Sequence, residues 1–549
     1  MPIKEASAIR DSRTRGSDRI FPIGNHRAPS RFRCNLIAPV LESFSFGKTI
    51  FTQPTIAKKG TPMQERHKNH EFDCCCDRGC DRRDFLGTLG MTAGALTLTA
   101  LESAPGEAAE RPPEKKTGAR VRAAFLYPPS EKFAADPNGW WSWPGNEFDA
   151  EGRQRLYETE LRKIEKKLGM TISAEAKPIA AGADAQRLAA QLKTDRPDGL
   201  LLVMFYNRSL AHADLLLKAA AEANVPCVFY IGLGVKHGPV GQYKRPGVYF
   251  IQSLDNFDAI EYGMRMINTR KRLAQSRLLS ITEADKPREG VEKFLGTTVR
   301  VIPFRHYADE FQKVTIDDQA RRLIERFTAS AKEVRGVTRE ALENAARAHF
   351  ALTKMLAEEH ADGVTMNCLR RGMLKPCMSF ATLNNRLIPA ACENDLPAAY
   401  TQLLGQLLTG RPGFQHNPCF ETERNHYYGS HCTCPTRLQG PDGPESEYLL
   451  RRFAHTNEGS CAIQVFWKPG DPVTMLHYYG GAQPSLDVYA GQVAQSHPMP
   501  PAGGCTTNVE IELSDCPDVC QVRGHHNILF CGDFARKFRL FAQLFKMRC

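Results

Sequence analysis

The chain has no basic stripe interleaved with aromatic residues, although its 549 residues include 72 Lys and Arg against 61 Asp and Glu. The excess sits partly in the first 83 residues and is otherwise scattered, which argues against nucleic acid and an anionic membrane surface as partners. Zinc-finger spacing is also missing. Cys432-Thr433-Cys434 and Cys516-Pro517-Asp518-Val519-Cys520 are not paired in the required way. Five of the eighteen cysteines (Cys34, Cys74, Cys75, Cys76 and Cys80) precede residue 81. The other thirteen are an odd number, so no complete disulfide framework can be read, and one or two bridges are expected if the chain is exported. The most local absence is the most consequential: between Asp362 and Glu393 there is no Asp or Glu at all.

What is present divides the chain into four parts. Residues 1–110 are polar and irregular, then carry Asp81-Arg82-Arg83-Asp84-Phe85-Leu86-Gly87, a mildly apolar run to Leu101 and a small-residue exit. An arginine pair before a diluted apolar core resembles a twin-arginine signal, which predicts export to the periplasm, translation from Met63, and no stable membrane anchor after processing. Residues 118–253 alternate strands (Val121–Tyr127, Thr171–Ala176, Leu200–Phe205, Cys227–Ile231) with helices (Asp149–Leu168, Ala185–Leu192, Ala211–Ala223), the pattern of a parallel sheet covered on both faces. Gly232-Leu233-Gly234 reads as a tight turn, because no third glycine or helix follows at fingerprint spacing.

A second α/β unit covers 254–411, with strands at Leu278–Ile281, Val299–Ile302, Gly363–Met366 and Leu387–Ala391. Its helices are Asp317–Lys332, Arg339–Glu359 and Leu396–Leu408. His349 shares the apolar stripe of the second of these helices and reads as a satisfied core residue. In 412–549 helical periodicity gives way to short strands such as Ala462–Trp467 and Val473–Tyr479, a β-rich, barrel-like domain closed by a helix with Phe534, Phe538, Phe541 and Phe545 on one face. The fold class is therefore α/β: two parallel-sheet units, then a β-rich C-terminal one.

Two places carry candidate chemistry. Cys392-Glu393-Asn394-Asp395 joins the end of a strand to the start of a helix, where α/β proteins bind ligands and where an anion also complements the helix dipole. A plain acidic helix N-terminus accounts for the same spacing. Trp140-Trp141-Ser142-Trp143-Pro144 offers aromatic faces on a loop, able to stack on a sugar or to cap a core or an interface.

The CEND motif with the helix ending Leu407-Leu408-Thr409-Gly410-Arg411-Pro412, together with Gly524-His525-His526 before the Gly532-Asp533 pair, resembles the L-fucose isomerase and L-arabinose isomerase superfamily. The resemblance implies two Rossmann-like domains and a β-barrel domain, a homo-oligomer, a monosaccharide or polyol ligand, and aldose–ketose interconversion with Mn(II). It implies Asp395 as metal ligand and proton-transfer group, His526 as imidazole ligand, and Glu393 as a catalytic neighbour that orients ligands or waters. Such a reaction needs a hard cation for the charge of an ene-diol and an acid and a base for the proton. The family's other acid should follow the strand holding Thr365 and Met366, and Asn367-Cys368-Leu369-Arg370-Arg371 stands there instead. Arg371, Asn367 and Trp141 are the candidate sugar contacts. Glu421, Glu423, His416, His426 and His431 are possible replacement ligands. An exported, non-catalytic carbohydrate-binding or scaffold protein that has lost the metal is the alternative, and a cysteine-based redox or metal-storage protein is a third.

Overall fold

The computed structural model describes residues 116–135, 144–369, 371–455 and 460–549. The export signal, the leader cysteines and Trp141 lie outside the described residues. Among those described, no helix is long and apolar enough to cross a membrane.

The first sheet holds β1 (Arg120–Leu126), β2 (Thr171–Ala174), β3 (Gly199–Met204), β4 (Cys227–Gly232) and β5 (Val248–Ser253) in the order β2-β1-β3-β4-β5, all parallel. The central strand β3 is buried along its whole length, as its continuous apolar sequence GLLLVM requires of a strand covered on both faces. The helix Ala150–Leu168 begins at Asp149, whose side chain accepts from the Gly152 amide, and ends at Gly169 in the left-handed conformation. The sequence reading omits β5 and the helix Phe257–Ala274. Asn256 caps that helix by accepting from the Ala259 amide, and the helix packs beside the first sheet and against the helix Leu396–Thr409.

The second sheet contains β6 (Arg277–Thr282), β7 (Arg288–Val291), β8 (Thr298–Pro303), β10 (Gly363–Met366) and β11 (Ala390–Cys392), ordered β11-β10-β6-β8-β7; only the edge strand β7 runs antiparallel. The strand expected at Leu387–Ala391 forms only from Ala390, because Leu387 takes a left-handed φ of 59° and Pro389 has no amide to give. The short β9 (Glu333–Arg335) leaves this unit to join another sheet.

The C-terminal part provides β12 (Phe414–Glu421), β13 (His426–His431), β14 (Tyr448–Arg452), β15 (Cys461–Val465), β16 (Pro472–Tyr479), β17 (Ser485–Ser496), β18 (Thr507–Leu513) and β19 (Asn527–Cys531). Six of these close an antiparallel barrel, β12-β13-β18-β17-β16-β19. β14 and β15 stay outside it; β14 pairs with β15 on one side and β9 on the other, so the strand foreseen near Ala462 belongs to a separate three-stranded sheet.

The closing helix Ala535–Leu544 returns to the first sheet. Gln543 donates to the Val248 carbonyl, the Gly247 amide donates to the Gln543 carbonyl, and the Tyr262 hydroxyl donates to the Lys537 carbonyl. Phe538 and Phe541 are fully buried in a core that also takes in Val228, Ile260, Leu404 and Phe530. His349 is a core residue as expected, its Nδ1 beside the Ser379 hydroxyl at 3.2 Å.

Candidate functional site

The site grows from the turn after β11. Glu393 and Asn394 both adopt left-handed φ values, 62° and 55°, which is costly for Glu and tolerable for Asn. Strain of this kind survives only where surrounding contacts over-determine it. Here the Asn394 amide donates to the Met366 carbonyl, and its side-chain oxygen accepts from the Ser280 hydroxyl at 2.7 Å. The Gln415 side chain clamps Cys392, accepting from its amide at 2.6 Å and donating to its carbonyl at 3.3 Å. The turn is thus tied to β10, β6 and the barrel strand β12, and Glu393 is aimed by all three.

Asp395 is the N-cap of the helix Leu396–Thr409: its Oδ1 accepts from the Ala398 amide at 2.8 Å, and its Oδ2 lies 2.8 Å from His526 Nδ1. A neutral imidazole that donates from Nδ1 to a carboxylate presents a lone pair at Nε2. His526 is fully buried, and its Nε2 has no hydrogen-bond partner. That nitrogen faces Glu393 Oε2 at 3.6 Å. His525 Nε2 lies 3.8 Å from the same oxygen, and His431 Nε2, also buried without a hydrogen-bond partner, is 3.6 Å from Glu393 Oε1. Three imidazole nitrogens converge on one carboxylate at distances too long for hydrogen bonds. His525 is exposed, but the buried nitrogens of His526 and His431 facing an anion need a cation between them, either a proton or a metal.

The titration of these groups follows from the same geometry. His431 holds the Glu393 carboxyl below its ordinary range. For Asp395 burial opposes ionisation, but the His526 ring and the Ala398 amide outweigh it and keep the carboxyl low. Burial likewise opposes a charge on His431, yet Glu393 and Cys392 raise it to about 9. A proton on His431 is therefore the cation this site takes when it holds nothing else.

The structure brings Glu393, Asp395 and His526 together and adds His525 and His431, but Asp395, expected as a metal ligand, has its oxygens on the Ala398 amide and His526 Nδ1. The donor atoms of Glu393, His525 and His526 all lie within 4.8 Å of one another, a set that fits a divalent cation accepting oxygen and nitrogen. Of the five possible replacement ligands only His431 faces Glu393. His426 pairs with Glu510 at 2.8 Å, Glu421 binds Arg424, the Glu423 amide donates to the Glu421 carboxylate, and His416 is buried with its Nδ1 on the Phe414 carbonyl.

Arg371 does not stand as a free charge. Its guanidinium pairs with Glu283, lies 3.6 Å over the Phe304 ring, and donates through Nε to the Asn367 carbonyl at 3.1 Å. Asn367 follows β10, its amide on the Ile281 carbonyl. Both residues sit at the carboxyl edge of the second sheet, as does Glu393. A cavity of about 1180 Å³ opens at the opposite edge, lined by Lys116, Arg272, Asp362 and Pro389, and includes none of the site residues.

A second assembly lies directly behind Glu393, one the spacing along the chain does not reveal. Cys392 touches Cys368 (Sγ to Sγ 2.8 Å) and Cys432, while Cys432 also touches Cys377 (3.5 Å) and Cys505. All thirteen described cysteines are free thiols, so the expected bridges are not formed among the described residues.

No protein-family model matches the chain, and no curated protein does. Among solved structures, a glucose-galactose binding protein from Geobacillus stearothermophilus, GanP, shows 14% identity over 54% of this chain and 92% of its own, with a TM-score of 0.16. A XylFII-LytSN complex mutant shows 8% identity over 54% and 92%, with a TM-score of 0.14. Likenesses at this level carry no weight for fold or function.

Proposed function

We propose that the chain is a sugar isomerase-like protein that binds a monosaccharide or related polyol at the carboxyl edge of the second sheet. The observation that carries this reading is the orphaned Nε2 of His526, fixed by Asp395 and aimed at Glu393. Glu393, His526 and His525 would hold a hard divalent cation such as Mn(II), which when bound supplies Lewis-acid stabilisation of the charge that builds on two neighbouring sugar oxygens. Asp395 is the positioning residue. It fixes the ring and tautomer of His526, the role a carboxylate plays behind a metal-bound histidine. Glu393, kept ionised by His431, is the base within reach, and it hands the same proton back.

One observation favours the second reading, carbohydrate binding without turnover: the place of the family's first acid is filled from a segment with no carboxylate, and Arg371 there is engaged with Glu283.

The deciding experiment is Mn(II) binding to the purified full chain beside Asp395→Ala, followed by a screen of aldoses and ketoses. The isomerase reading expects near-stoichiometric binding, weakened roughly 10- to 100-fold in the variant, as for loss of a group that orients a ligand. Equal affinities in the two proteins, or no binding by either, would leave the binding-protein reading in its place.

A further inference from the structure

Six buried side chains with soft or borderline donor atoms lie together beneath the turn of Glu393: Cys368, Cys377, Cys392, Cys432, Cys505 and His431. They come from five separate stretches of chain: the segment after β10, the helix Cys377–Asn385, the end of β11, the end of β13 with the residue after it, and the loop before β18. Buried cysteines usually act as small apolar residues and pack against carbon. Here thiol meets thiol repeatedly, which no packing requirement demands.

The geometry has the dimensions of a coordination sphere. The donor atoms of Cys392, Cys432 and His431 all lie within 4.8 Å of one another. Bonds of ~2.3 Å to sulfur and ~2.0–2.1 Å to nitrogen at a tetrahedral angle set S and N about 3.6 Å apart. Cys432 Sγ stands 3.6 Å from His431 Nδ1. The other nitrogen of that ring faces Glu393 Oε1, so a carboxylate lies behind the histidine, as it does in many metal centres. Charge compensation is also present. Lys375 is buried, donates to the backbone carbonyl of Cys368 at 3.1 Å and pairs with no carboxylate among the described residues, so an ammonium group lies at the edge of the cluster.

We infer that Cys392, Cys432 and His431 bind a single thiophilic cation, zinc(II) or copper(I), with Cys377 and Cys505 as the sulfurs available to complete the sphere. Thiolate donors select such ions over the oxygen-preferring Mn(II), so the two neighbouring sites sort metals by donor type. An iron–sulfur cluster is a poorer fit, because iron and sulfide must be interposed between cysteines that already touch. Glu393 joins the two sites, with Oε1 toward His431 and Oε2 toward His525 and His526. The inference stands without the isomerase reading, since none of its ligands belongs to the Mn(II) set.

The test is elemental analysis of the full chain, purified without chelator from cells grown in zinc- or copper-supplemented medium, together with the absorption spectrum after cobalt(II) is added to chelator-stripped protein. The expected result is one equivalent of zinc or copper retained through dialysis and a thiolate-to-cobalt charge-transfer band. Both are lost in the Cys392→Ser/Cys432→Ser double variant and kept in Asp395→Ala, whereas Mn(II) affinity changes in the reverse pattern. Elemental analysis separates the zinc and copper outcomes. Metal-free protein with no charge-transfer band, a band that survives the double substitution, or a Cys368–Cys392 disulfide found by peptide mapping would each overturn the inference. The spectrum of the unmodified chain decides the matter even where the double variant does not fold.

Discussion

His349 shows how a single buried side chain sets a pH limit on the fold. Burial pushes its imidazole down to about 3, with Arg386 and Arg326 adding to the effect. An unfolded histidine protonates near pH 6.5, so as pH falls below that value the unfolded state takes up a proton that the folded state refuses, and stability is lost. One such group costs about 2 kcal/mol by pH 5. The expected outcome for His349→Gln is a urea midpoint that falls less between pH 7 and pH 5 than the wild-type midpoint does; parallel falls would show that His349 charges inside the folded protein. At this scale the sequence was only partly legible. Glu393, Asp395 and His526 could be singled out because acids at a strand-to-helix turn and a histidine before a strand are local patterns. The convergence of His431 and His525 on Glu393 could not, because it depends on which barrel strand closes against the turn. The cysteine cluster was hidden for the same reason: its members are 9 to 137 positions apart from Cys368 and share no motif.

At the scale of elements, the helix Leu396–Thr409 is what joins the site to the barrel, and its small residues allow the approach. A Cβ built on Gly405 would meet Phe530 Cζ at 2.0 Å, a ring of β19 that is itself fully buried. Gly405→Ala is therefore expected to destabilise by about 1–3 kcal/mol through overpacking, despite the better helix propensity of alanine. Gly182→Ala, at the start of the helix Gly182–Asp195 with open space around it, is the control and should be neutral or slightly stabilising. Chemical denaturation of both variants checks this, and equal midpoints would mean that helix and barrel do not meet as closely as described. Strong periodicity made most helices and the buried strands readable from sequence. The elements that escaped include short or edge pieces, three-residue β9 and the hairpin strand β7, which is exposed throughout and so carries no apolar run, but also the long helix Phe257–Ala274.

Across the whole molecule, α/β segments followed by a β-rich barrel were readable because each has its own period, 3.6 alternating with continuous apolar runs and then 2. What period cannot convey is that the last helix folds back onto the first sheet. Phe541 lies in a core shared by Val228 of β4, Leu404 of the helix Leu396–Thr409 and Leu486 of β17, so one face of the first sheet and part of the barrel are closed by the same C-terminal segment. Phe541→Ala should cost about 3–5 kcal/mol, the range for truncating a buried ring. Its signature is spatial rather than only energetic. Hydrogen exchange is expected to quicken in both β4 and β17, strands more than 250 positions apart in sequence, because the cavity opens the one core that both border. Loss of protection confined to β17 would mean that the barrel and its helix form a unit of their own, and that the first sheet contributes nothing to holding the Glu393 turn in place.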